Sequence, residues 1–203
     1  MPKTFKSKIG VYLAGIGLLA SSYTLINKDP IPEKTHFTAK EKAESQKAFL
    51  AVYNVLMSPR CMNCHPKGDV PLQGDDSHLH TQGVIRGLDG KGVYAMKCSN
   101  CHQPKNTPGL NMPPGNPKWH LPPADMKMVF EGKSPKELAA QLKDPERNGH
   151  KTMAQIVDHI SHDELVLGGW NPGDGRKKPP MSHAAFEKQF KEWVNKGAFL
   201  PEK

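Results

Sequence analysis

A chain of 203 residues, 36% hydrophobic and 24% charged, has the size and polarity of one globular domain or of two small ones sharing a core. Its formal charge of +8 is spread along the chain, with no basic tract and no aromatic stacking motif, which argues against a nucleic-acid partner. Nineteen prolines, eighteen glycines and only 7% aromatic residues predict long fixed loops and a core completed by something other than side chains.

Lys3, Lys6 and Lys8 precede an apolar run from Ile9 to Ala20 and the small residues Ser21 and Ser22, the order found in a secretory signal. Cleavage is expected after Ser22, giving a leader over residues 1–22. The rival is an uncleaved anchor reaching Ile26, although Ser21, Ser22 and Thr24 make a poor bilayer span. Export to the periplasm is the expectation in either case, with inner-membrane attachment only through an uncleaved leader. Losing the leader removes three lysines and no acid, so the mature chain stays basic. Such a surface suits an acidic protein or an anionic membrane, and equally an ordinary solvated exterior. Residues 23–37 form a polar, Pro-containing tether, and residues 38–203 the remaining domain.

Thr38 and Glu41 stand in capping-box register, and Phe49, Val52, Tyr53, Leu56 and Met57 follow at helical spacing, predicting a helix that runs toward Pro59. From His65 to Cys98 the chain is Gly-rich without a sustained period. Prolines at 104, 108, 113, 114, 117, 122 and 123 then enforce extended chain over Gln103–Asp125. Short amphipathic helices are expected in series: "ADMKMVF" between Pro123 and Gly132; one capped by Ser134 and Glu137 with Pro135 in its first turn; one opened by Thr152 with Met153, Ile156, Val157 and Ile160 on its face. A last one is capped by Ser182, carries Phe186, Phe190, Trp193 and Val194, and stops at Gly197. No strand pattern stands out, so the fold class expected is mostly α, with short helices and long irregular loops.

The four cysteines fall in two units of the same form, "CMNCH" at Cys61–His65 and "CSNCH" at Cys98–His102. A two-residue gap sets two sulfurs along one edge of a flat macrocycle, where they form thioethers with its vinyl groups, and the adjacent histidine turns beneath the iron. Cys61, Cys64, His65, Cys98, Cys101 and His102 are therefore expected to hold two covalent haems c, with His65 and His102 as the proximal iron ligands. The other readings are one structural zinc on four thiolates, which does not require a histidine after each second cysteine, and a redox disulfide, which needs a βαβ setting absent here.

Beyond these units, "GDVPLQGDDSHLH", "RGLDGKG", "PGLNMPPGNPKWHLPP", "MVFEGKSPKELAAQLKDP", "WNPGDGR" and "WVNKGA" make the chain resemble small bacterial dihaem c-type cytochromes labelled as cytochrome subunits of isoquinoline 1-oxidoreductase-type enzymes. The resemblance implies electron transfer by two haems and supplies no partner enzyme. It also implies a cytochrome c-like arrangement in which the first and last helices cross beside a haem.

Each iron needs a group on its far face. His80, then His78, is the candidate for the first haem, because "DDSHLH" sits in a loop long enough to pass around a haem edge. Met126 or Met128 is the candidate for the second, with Met112, Met181, His120 and His183 as rivals; Met57 and Met153 read as core. The 33 residues between Cys64 and Cys98 predict two haems close together in one fold. The function expected is a non-enzymatic electron carrier, taking electrons from a periplasmic or membrane-bound dehydrogenase and passing them to a redox protein or oxidase. A dihaem peroxidase with one open iron is the enzymatic alternative, and a zinc-stabilised adaptor the structural one.

Overall fold

The computed structural model describes residues 36–202; the expected leader and most of the tether lie outside them. Thr38 caps the first helix, α1 (Ala39–Leu56), and exchanges hydrogen bonds with Glu41 in a complete capping box. A short helix, α2 (Pro59–Met62), has proline at its first turn and delivers Cys61. Farther on come α3 (Pro135–Lys143), α4 (Met153–His162), α5 (Glu164–Gly168) and α6 (His183–Asn195). Ser134 and Thr152 close capping boxes with Glu137 and Gln155, and Ser182 caps α6. In each of these the cap oxygen satisfies an amide that the first helical turn leaves without a partner.

The core lies among α1, α3, α4 and α6, with Phe49, Val52, Val55, Leu138, Phe186, Phe190 and Trp193 fully or almost fully buried. Phe49 packs on Trp193 at 4.6 Å between ring centres, and Trp193 meets Phe190 edge to face at 5.3 Å. Buried Ser45 on α1 bridges the α6 end by donating to the Trp193 carbonyl (3.0 Å) and accepting from the Phe199 amide (3.1 Å). The expected pairing of the first and last helices is present. Gly197, at φ +92°, turns the chain so that Phe199 and Leu200 pack back on this pair.

Between α2 and α3 the chain is loop, with two small hairpins that the sequence did not announce. β1 (Leu72–Gln73) pairs antiparallel with β2 (His78–Leu79), and β3 (Gly92–Val93) with β4 (Met96–Lys97). Strands of two residues carry no readable alternation. The helix expected at "ADMKMVF" does not form. The end of the segment serves the first CxxCH unit instead: the amides of Phe130 and of Glu131 just after it donate to the His65 carbonyl (2.9 and 3.4 Å), and Met128 takes a left-handed φ of 48°. The molecule is mostly helical with few small strands, and among the described residues no helix is long and apolar enough to cross a membrane.

Candidate functional site

Both CxxCH units fold as one tight turn. The amides of Cys64 and His65 donate to the carbonyls of Cys61 and Met62 (3.2 and 2.9 Å), and those of Cys101 and His102 to the carbonyl of Cys98 (3.2 and 2.9 Å). Residues three apart on such a turn share a side, so each pair of sulfurs faces one way with its histidine alongside. All four cysteines are free thiols. Burial pushes the Cys61 thiol up to about 12 and that of Cys64 up to about 11, and raises Cys98 as well, keeping these groups protonated at neutral pH. Among the described residues no three of His, Cys, Asp or Glu converge on a point that could hold a bare metal ion, which counts against the zinc cage. The two units adjoin, since the hairpin whose Leu72 amide donates to the Asn63 carbonyl carries His80 against His102.

The two histidines are mounted in the same way. His65 Nδ1 lies 2.7 Å from the Met128 carbonyl, and the ring stacks on Phe130 at 3.9 Å with planes 10° apart. His102 Nδ1 lies 2.7 Å from the Pro114 carbonyl, and the ring stacks on Trp119 at 4.0 Å and 7°. A carbonyl only accepts, so each Nδ1 bears the proton and each Nε2 keeps its lone pair for a ligand. Burial drives the His65 pKa down to about 4 and lowers that of His102, which keeps both rings neutral. Carbonyl-anchored imidazole of this kind is the outer-shell arrangement that orients a metal-binding histidine.

The backbone is shaped to supply those carbonyls. Met128, at φ 48°, holds a conformation that costs a side-chain-bearing residue about 1 kcal/mol, and it does so where its oxygen must meet His65. Beside Pro114, Gly115 lies so close to the Lys105 backbone that a Cβ there would collide with it. The Gly115 amide also donates to Asn106 Oδ1 (2.8 Å). Only glycine permits that approach, and the approach brings the Pro114 carbonyl to His102.

Charge gathers at the first unit. Arg86, fully buried, donates to the carbonyls of Pro122 (2.5 Å) and Gly68 (3.1 Å), and its Nε pairs with Asp69 Oδ1 (3.5 Å). Arg60 pairs with Asp75 (2.9 Å), and its Nε is buried without a hydrogen-bond partner. Both guanidiniums act on Cys64. Exposed apolar side chains stand along the loops at Leu79, Ile85, Leu88, Tyr94, Met96 and Leu110, with Tyr94 and Met96 in the hairpin that leads into Cys98. The unbonded Arg60 Nε beside the first unit and the exposed Tyr94 and Met96 just before the second fit a large flat apolar group with acidic edges, as a haem is.

The proposed far-face ligands lie as follows. His80 stands beside His102, with ring centres 6.4 Å apart. His78 is exposed and its Nδ1 is bonded to Asp76 (2.6 Å). Met128 belongs to the first unit through its carbonyl, and its sulfur receives Gln141 (3.9 Å), so it is not placed at the second. Met126 is half-buried near Gly149. His183 Nε2 donates to the Ile160 carbonyl (2.8 Å), Met181 packs against the core, and Met112 is exposed. His120 Nδ1 lies against the Lys118 carbonyl (2.5 Å). Sequence reasoning passed over His159 on α4, whose Nδ1 faces Asp163 at 3.4 Å and whose pKa burial lowers. Its sequence signal was an i, i+4 His–Asp pair on a helix face.

Compared with known proteins, the chain matches no family model, no curated protein and no solved structure.

Proposed function

We propose that this chain is an exported dihaem c-type cytochrome that carries electrons from a dehydrogenase to a downstream redox protein or oxidase. One observation supports the reading above the rest: two separate CxxCH units present a neutral imidazole with Nδ1 fixed on a carbonyl, a ring stacked on an aromatic face and a free Nε2. Bound there through thioethers to Cys61 and Cys64, and to Cys98 and Cys101, a haem supplies a one-electron iron couple.

The protein's own contribution is to make the two sites unequal. Around the first, Arg60 and Arg86 place fixed positive charge, and Pro66 and Phe130 shut out water. The second opens to solvent at Cys101. Leu88 and Tyr94, 88% and 95% exposed, stand on the same loop and suit transient docking of a partner. Electrons are exchanged with partners at the second site and stored nearer the core at the first.

The test is a reductive titration of the purified holoprotein together with a pyridine haemochrome assay. Two haems and two electrons per chain, with no turnover of hydrogen peroxide, are expected. Catalysed peroxide turnover would replace the carrier with the peroxidase, and a colourless zinc protein would replace both.

A further inference from the structure

Resting on the dihaem reading, we infer that His80 is the second axial ligand of the haem attached at Cys98, Cys101 and His102, which makes that centre bis-histidine. The ring centres of His80 and His102 are 6.4 Å apart and their planes are inclined by 63°. With an imidazole–metal bond of about 2 Å and a ring centre roughly 1 Å behind the ligating nitrogen, two imidazoles across one metal ion have centres about 6 Å apart. The observed 6.4 Å is the separation that two imidazole ligands of one ion would have, and it lies at the long end of the range for edge-to-face rings.

Both rings have nitrogen to offer. His102 Nδ1 is taken by Pro114, leaving Nε2. His80 is half-buried, its Nδ1 makes no hydrogen bond, and Gln82 is the side chain that reaches the ring as a hydrogen-bond partner, so one ring nitrogen stays open to a ligand.

The approach of His80 is also fixed by backbone. Its amide donates to the Pro71 carbonyl (2.9 Å), and its carbonyl accepts from Gly83 (3.2 Å). The β1–β2 hairpin that carries it is rooted on the first CxxCH unit: the Leu72 amide donates to the Asn63 carbonyl (3.1 Å), while Asn63 Nδ2 and Arg60 both donate to the Gly74 carbonyl (2.9 Å each). One unit thus holds the arm that closes the other. A bis-histidine iron has a lower potential than a histidine–methionine one, which suits electrons entering at the exposed second site and passing inward.

The experiment is near-infrared magnetic circular dichroism of the oxidised full-length holoprotein, wild type and variants, with haem counted in each. Wild type is expected to show a bis-histidine band. His80→Ala keeps two haems and loses that band for one of them, gains a high-spin signal, and returns to low spin when imidazole is added. His80→Met moves the band toward the histidine–methionine position and raises one midpoint potential; His78→Ala changes neither. A His80→Ala protein with two haems and a wild-type spectrum overturns the inference while leaving the dihaem reading intact. Peptide mapping of wild type that finds no haem on Cys98 and Cys101 overturns that reading itself, before any variant is made.

Discussion

Replacing Gly115 by alanine tests how the second unit is held. Its Cβ would meet the backbone of Lys105 and the Gln103 carbonyl, neither of which can rotate away as a side chain does. Relief requires the 113–116 segment to retreat, and the Pro114 carbonyl goes with it, lengthening its 2.7 Å bond to His102 Nδ1. Forced overpacking costs about 1–3 kcal/mol, and a weakened hydrogen bond adds about 1 kcal/mol. The sum, roughly 2–4 kcal/mol, lowers the unfolding temperature of a protein of this size by about 5–15 °C. A loosened Nδ1 bond makes His102 a weaker donor, so the potential of the second haem rises while that of the first stays put. Gly68→Ala is the control: the nearest atom to its Cβ is 4.0 Å away, and Gly68 is not among the residues with positive φ. Thermal unfolding and a spectroelectrochemical titration of the three proteins decide the matter. An unchanged second potential in Gly115→Ala would show that the Pro114 carbonyl does not govern His102.

Three further outcomes follow from the same geometry. Ser45→Ala leaves the buried Trp193 carbonyl and Phe199 amide without their partner, and loses about 2–3 kcal/mol in guanidinium unfolding with no change in visible spectrum. Arg86→Met removes a positive charge that acts on Cys64 and His65, which favours the oxidised iron and lowers the potential of the first haem; an unchanged value would mean that the guanidinium is purely structural. Alkylation of the denatured protein labels none of Cys61, Cys64, Cys98 and Cys101, before or after a thiol reductant, if all four are thioethers, whereas labelling that appears only after reduction reports disulfides.

What could be read in the sequence was local. The caps at Thr38, Ser134, Thr152 and Ser182 depend on residues three apart, and all four open helices where the pattern placed them. Pairing of α1 with α6 was implied by the resemblance to c-type cytochromes, and the two helices do pack together through Phe49, Phe190 and Trp193. The chemistry-bearing residues were legible because CxxCH packs them into five positions. Their surroundings were not, because these are set by contacts across long stretches of chain. "ADMKMVF" has a helical composition, yet His65 takes its amides and the Met128 carbonyl from more than sixty residues away. His80 faces the second unit because a hairpin of two-residue strands docks on Asn63, and no periodicity encodes that docking. The stacking of Phe130 and Trp119 on the two histidines was equally out of reach, since one aromatic follows its carbonyl residue by two positions and the other by five.

The central claim, that each CxxCH unit carries a covalent haem, is tested most directly by intact mass spectrometry of the purified protein after denaturation and reduction. The account predicts a polypeptide heavier by two haems, which drops to one when Cys98 and Cys101 are both replaced by alanine. A mass equal to the bare polypeptide would contradict it.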